Sequence, residues 1–297
     1  MPILLSLLQK SMKKIFFLLV IIFWQTKELR CDYIEILPDK IYDGDAVLLN
    51  FSNLSNNKNY TIQIILKKTN FYNLSNNKKL FIAVPLFYKG DLKINLFENK
   101  KIIFSKSIKI LEREISVSKI KIQEKYIKPK KDFFNLIEFE KKIKKLAISS
   151  FIEKDFIGNE ISAPLENFII TSKFGEKRFF NGKEKKYHWG VDMVPVQNSN
   201  VKAILPGIVI FAGYLYFEGN AIFINHGNGI VSLYCHLDKI FVKHSDFVKS
   251  GDIIGTAGKT GRATNVHLHL SLYVHQIPVD PLSIFKIFKL KINQEKF

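Results

Sequence analysis

Two clusters in this 297-residue chain carry side chains that could do chemistry together: His188-Trp189-Gly190-Val191-Asp192 and, far downstream, His267-Leu268-His269. His188 and Asp192 are an even number of positions apart, and so are His267 and His269. On a β-strand, even spacing turns side chains to one face, so each cluster could present two polar groups to one point. Two imidazoles and one carboxylate are what a catalytic zinc ion takes when a fourth position is left for water. The ligand set read from this is His188, Asp192 and His269, holding one zinc per chain. Neutral imidazoles and a single carboxylate leave such a site with residual positive charge, which lowers the pKa of bound water toward ~7. The same donors also suit non-haem iron(II), so ligand type alone leaves both metals open.

His236 and His267 are left over. In Leu233-Tyr234-Cys235-His236-Leu237, strict alternation puts His236 on the face of Tyr234 and Ser232, with Cys235 opposite as a small core residue. His267 shares a face with His269. One imidazole could take a proton from water or return it to the leaving amine, while the other steadies the oxyanion. The sequence leaves open which does which. All seven histidines, at 188, 226, 236, 244, 267, 269 and 275, lie beyond residue 187, so the chemistry belongs to one domain. His226 falls in a hairpin turn, His244 in a lysine-bounded loop and His275 in a turn before Pro278, and all three are expected at the surface. Glu218, Tyr216 and Arg262 fall in loops that could contact substrate.

The elements that position these residues are mostly strands. From Ile161 onward the chain reads as strands and glycine turns, with Asn225-His226-Gly227-Asn228-Gly229 signalling a hairpin. Residues 32–112 form short alternating runs such as Ala46–Phe51, Tyr60–Ile65 and Lys79–Val84, the pattern of a small antiparallel β-sandwich. Asn53-Leu54-Ser55-Asn56-Asn57-Lys58 recurs at 73–78 as a second polar loop. Residues 113–160 read as a charged linker followed by a helix. Phe133, Leu136, Ile137, Glu140, Ile143, Lys144 and Ala147 fall at helical spacing, with Asp132 as its cap, and the helix is expected to brace the two domains. A basic tail, 286–297, closes the chain.

The motifs follow one another as Thr171-Ser172-Lys173-Phe174-Gly175, Phe180-Asn181-Gly182-Lys183, His188-x-Gly190-x-Asp192, Tyr234-x-His236-Leu237, Gly258-x-Thr260-Gly261-Arg262-Ala263-Thr264, His267-Leu268-His269 and Val279-Asp280-Pro281-Leu282. In this order, over roughly residues 161–285, the chain resembles the lysostaphin/LytM-type zinc metallopeptidases that cut peptidoglycan. The subgroup with an amino-terminal Ig-like sandwich and a bracing helix is similar to residues 32–160. The resemblance implies a mainly β fold with a groove floored by an antiparallel sheet. His188, Asp192 and His269 would be the zinc ligands and His236 and His267 the catalytic pair. It also implies a peptidoglycan peptide as substrate. Two departures stand out. Asn265-Val266 occupies the place of a usual Gly-Pro, and Leu270-Ser271 that of an aromatic residue followed by Glu, which alters the support around the metal. The alternative from another class is an inactive scaffold of the same fold that regulates a wall hydrolase, a kind of protein that loses ligands this chain keeps.

Composition bounds the rest. A hydrophobic fraction of 47% with 26 Phe excludes global disorder. The net charge of +18 favours a polyanionic surrounding, but dispersed lysines without an aromatic-interleaved motif argue against a nucleic-acid partner. Lys10, Lys13 and Lys14 precede the apolar run Ile15–Trp24, the layout of an export signal, with Met12 as a second candidate start. Residues 1–31 are therefore expected to send the chain to the cell envelope or periplasm. Cleavage, retention as an inner-membrane anchor and lipidation of Cys31 are all left open. Two cysteines, Cys31 and Cys235, make no disulfide framework.

Overall fold

The computed structural model describes residues 34–292 apart from 53, 56–57, 67, 75–78, 159, 183 and 198. The expected signal or anchor, Cys31 included, lies outside the described residues, as do much of the two Asn-rich loops and the end of the basic tail. Among the described residues no helix is long and apolar enough to cross a membrane.

The amino-terminal region is a two-layer sandwich. One sheet has the order Ile34–Leu37, Ala46–Phe51, Lys79–Ala83. The other has the order Thr69–Leu74, Tyr60–Ile65, Asp91–Glu98, Lys101–Lys109, and neighbours in both run antiparallel. Val47, Leu49 and Phe51 from the first sheet meet Ile62, Ile64, Leu92 and Ile94 from the second. Tyr60–Ile65 alternates buried and half-buried residues, as a strand with one face on a core should. Ala46–Phe51 is almost wholly buried. Its other face, Ala46 and Leu48, packs with Phe81 and Ala83 into the core of the carboxy-terminal domain. A strand covered on both sides reads as a continuous apolar run, which is what its sequence shows.

The carboxy-terminal sheet has the order Phe247–Val248, Gly207–Leu215, Gly219–Asn225, Ile230–Ile240, Leu268–Val274, Val191–Pro195, Phe168–Ser172, antiparallel throughout. On Leu268–Val274, Leu268, Leu270, Leu272 and Val274 enter the large core, which turns His269, Ser271 and Tyr273 to the opposite face. That opposite face carries the helix Phe134–Ser149, whose Ala147 packs with Leu215, Phe223, Val231 and Leu233. The same face also floors a groove.

Four expectations need correction. The helix expected to brace two domains lies on the carboxy-terminal sheet, and Asp132 does not cap it. Asp132 sits in a 3₁₀ turn, and the helix follows Phe133 with no side-chain cap. Part of the supposed linker is a strand, Val117–Ile120, which pairs in parallel with Lys177–Phe180. The supposed boundary at 285 cuts the helix Pro281–Ile287, in which Ile287 is buried. The expected hairpin at Asn225–Gly229 is present, joining Gly219–Asn225 to Ile230–Ile240.

Candidate active site

The site is assembled at the ends of three adjacent strands and one bend. Asp192 on Val191–Pro195 is the direct cross-strand partner of His269, and Cys235 is the partner of His269 on its other side. Partners across an antiparallel ladder have Cβ atoms about 5 Å apart, so register alone brings Asp192 and His269 together. His188 arrives differently. It does not share a strand with Asp192, because Glu184–Tyr187 ends before it and Val191–Pro195 begins after Gly190. His188 N–H donates to the Glu176 carbonyl and its own carbonyl accepts from Gly175 N–H, and the chain then bends toward Asp192. Gly190 makes the bend possible. A Cβ there would lie 2.4 Å from the Leu270 carbonyl oxygen and 2.7 Å from the His269 ring.

The three expected ligands converge. His188 Nε2 is 3.0 Å from Asp192 Oδ1, His269 Nδ1 is 2.8 Å from the same oxygen, and the two ring nitrogens are 2.9 Å apart. The outer ring nitrogens are occupied: His188 Nδ1–H donates to the Lys173 carbonyl at 2.9 Å, and His269 Nε2 is 2.8 Å from Ser271 Oγ. With Nδ1 of His188 carrying its proton, Nε2 turns a lone pair inward. These three donor atoms lie within 3.0 Å of one another, and a hard-to-soft borderline cation such as zinc suits two nitrogens and one oxygen. The donor set fits the metal.

Charge states agree with this. Burial pushes Asp192 upward, but His188 and His269 outweigh it and hold the carboxyl well below its usual range. Burial depresses His269 to about 4, leaving a neutral imidazole. Asp192 Oδ2 accepts from Arg178, whose Nε also donates to Glu176 at 3.1 Å. Arg178 and Ser271 carry much of the orientation of the ligands. Arg178 had no spacing signature. Ser271 did, two residues beyond His269 on the same strand face.

His236 and His267 stand beside the three. Their ring centroids are 4.8 Å apart, and His267 Nε2 is 3.9 Å from Asp192 Oδ1. His236 Nδ1–H donates to the Thr260 carbonyl and His267 Nδ1–H to the Asn265 carbonyl, both at 2.8 Å, so in the neutral form of each ring the lone pair is on Nε2. Burial, then the neighbouring His267 and His269, lower His236 to about 3. The expected face of His236 is wrong. Its φ of 62° marks an irregularity that breaks alternation, so Cys235 and His236 both line the groove, while Tyr234 and Ser232 point to the opposite side.

The remaining expectations divide. Glu218 and Arg262 line the groove, whose volume is about 370 Å³. Tyr216 is buried instead, with its hydroxyl donating to the Lys125 carbonyl. His244 is exposed as expected. His226 is not at the surface but fully buried, bonded to the Pro206 carbonyl and the Ser232 hydroxyl. His275 is half-buried, 3.2 Å from the Phe81 carbonyl across the domain interface.

Residues 186–281 match the model of Peptidase family M23. The DD-carboxypeptidase/endopeptidase Mpg of Neisseria meningitidis is 36% identical over 121 residues, which cover 41% of this chain and 28% of Mpg. The peptidoglycan DD-endopeptidase ShyC of Vibrio cholerae is 34% identical over 125 residues, covering 42% of this chain and 29% of ShyC. The chain thus matches under a third of either relative's length. A crystal structure of an M23 peptidase from Pseudomonas aeruginosa, 21% identical, overlays with a TM-score of 0.59 across 84% of this chain and 96% of its own. The shared fold therefore extends beyond the family match.

Proposed function

We propose that this chain, built around a Peptidase family M23 domain at residues 186–281, is an exported zinc metalloendopeptidase that hydrolyses peptide bonds in the stems or cross-bridges of peptidoglycan. The observation that carries the reading is the convergence of His188 Nε2, Asp192 Oδ1 and His269 Nδ1 on one point in an open groove. The names of the matched relatives, a DD-carboxypeptidase/endopeptidase and a peptidoglycan DD-endopeptidase, support the substrate class. The basic and apolar segment from Lys10 to Trp24 supports export to the envelope.

Zinc held by these three side chains would supply Lewis acidity, polarising a water molecule and the scissile carbonyl. The chain's own residues do the rest. Asp192 brings the negative charge that fixes a dication here, and Arg178 holds its second oxygen so that only Oδ1 points inward. Ser271 and the Lys173 carbonyl fix the two ligand rings. In their neutral forms His236 and His267 carry the lone pair on Nε2, each able to accept a proton from water and to return it to the departing amine. The protonated form of either ring would lie beside the negative charge that develops on the attacked carbonyl oxygen. Retention of all three donors and both further imidazoles supports an enzyme over the inactive scaffold.

The test is digestion of isolated sacculi by the purified chain, with mass spectrometry of the released fragments. New peptide ends are expected with wild type. His269→Ala should lose both metal and turnover, and His236→Ala should keep the metal and lose turnover. Sacculi left intact by zinc-loaded wild type would favour the scaffold.

A further inference from the structure

We infer that the segment joining the two β domains is part of the substrate site, with Ile120 and Ile122 receiving an aliphatic side chain of the bound peptide. This deepens the peptidase reading and rests on it. The segment precedes residue 186, so the family match assigns it nothing.

Val117–Ile120 lies parallel to Lys177–Phe180, with Ser118 opposite Arg178 and Ile120 opposite Phe180. Lys119 and Lys121 face solvent, whereas Ser118, Ile120 and Ile122 are half-buried, and both isoleucines line the groove. The segment is also fastened in place. Asn181, in the left-handed region at φ 48°, accepts from Ile122 N–H at 2.9 Å through its side-chain oxygen and donates to the Ile122 carbonyl at 3.0 Å. Its backbone N–H donates to the Ile120 carbonyl, also at 3.0 Å. Further along, the Tyr216 hydroxyl holds the Lys125 carbonyl. The segment is therefore hydrogen-bonded to the carboxy-terminal domain at both ends.

What the wall would recognise follows from what it offers. Ile120, Ile122, Phe180, Phe217 and Leu233 all contribute carbon to the lining of the groove. The Arg262 guanidinium lies 5.1 Å from the centroids of both Phe180 and Phe217, so the two rings flank it. The apolar stretch that Ile120 and Ile122 add to an otherwise mixed lining favours an aliphatic side chain over a charged one there, because burying a charge without a partner is costly. Ser118, on the same face of the segment, donates to Glu176 at 2.7 Å, and Glu176 pairs with Arg178. One short strand thereby supports the metal carboxylate at one end and shapes the groove at the other.

The test is steady-state kinetics of the full chain on cross-linked muropeptides purified from sacculi, with zinc content and unfolding midpoint measured alongside. Ile120→Ser and Ile122→Ser should each raise KM roughly tenfold with kcat within about twofold and zinc unchanged, the scale expected for a lost aliphatic contact. Ile122→Val should restore a KM near wild type. Ile122→Phe, which narrows the groove without deleting packing, should also raise KM. Serine and phenylalanine variants with wild-type KM would overturn the wall and leave the peptidase reading intact. A fall in kcat together with zinc loss would also overturn it, because the segment would then act only by bracing Asp192. Wild type that cuts no muropeptide would sink the peptidase reading and the wall with it.

Discussion

At Gly190 the site has no room for even one more carbon. An alanine there would press on the Leu270 carbonyl and the His269 ring together, so Gly190→Ala is expected to cost about 1–3 kcal/mol of stability. It should weaken zinc binding as well. Urea denaturation and competition with a chelator would show both, and wild-type values would mean that the bend can open. Arg178 acts more indirectly. Arg178→Gln removes the charge that holds Asp192 Oδ2 and should reduce zinc affinity roughly 10- to 100-fold while the chain still folds, again read by chelator competition. His236 differs from both because it touches no expected ligand atom through a hydrogen bond. His236→Ala should lower kcat by about 10²- to 10⁴-fold with zinc content unchanged. Loss of metal in that variant would place His236 among the ligands instead.

The hairpin Gly219–Asn225 to Ile230–Ile240 is closed by a buried histidine rather than by an exposed turn. Burial lowers His226 from 6.5 to about 4. The unfolded chain takes up this proton near pH 6.5 and the folded chain only near pH 4, so stability falls as pH drops through that window and is unaffected above it. The loss at its lower end is on the order of 3 kcal/mol. In urea denaturation at a series of pH values, His226→Gln should show a flatter acid limb between these limits, and an unchanged limb would assign the acid sensitivity elsewhere. The turn residues Asn225–Gly229 made this hairpin legible in the sequence, and alternation made the strand Leu268–Val274 legible, because its residues 268, 270, 272 and 274 enter the core. Alternation failed at His236, where one positive φ reverses every inference about facing. It also misplaced the reason for pairing His188 with Asp192, since a bend and not a shared strand joins them. Val117–Ile120 was hidden for another reason. Its outward lysines and short length read as charged linker, and its partner strand lies some sixty residues later, beyond what local spacing can show. The ligands themselves were legible because histidine and aspartate carry their chemistry in their identity.

At the scale of the molecule, the two β regions share a core instead of being tethered. Ala46, Leu48, Phe81 and Ala83 of the sandwich are packed into the same apolar cluster as Leu268 and Phe285. Arg113 fastens the junction, pairing with buried Asp45 in the sandwich and with Asp280 at the start of the last helix, 2.7 Å away. Burial already pushes Asp45 upward against the pull of Arg113. Arg113→Met would strand both carboxylates and is expected to cost about 3–5 kcal/mol. Denaturant unfolding followed by a probe in each region should show both transitions moving together, whereas movement of one alone would mean the regions unfold independently. Such a fixed junction explains how a segment between the regions can serve as a groove wall. The proposed activity depends on one divalent ion held by His188, Asp192 and His269. The most direct measurement is X-ray diffraction from crystals of the purified chain at wavelengths on either side of the zinc absorption edge. One anomalous peak within bonding distance of His188 Nε2, Asp192 Oδ1 and His269 Nδ1, absent in Asp192→Ala, is the predicted result. A peak elsewhere, or none in zinc-loaded crystals, would contradict it.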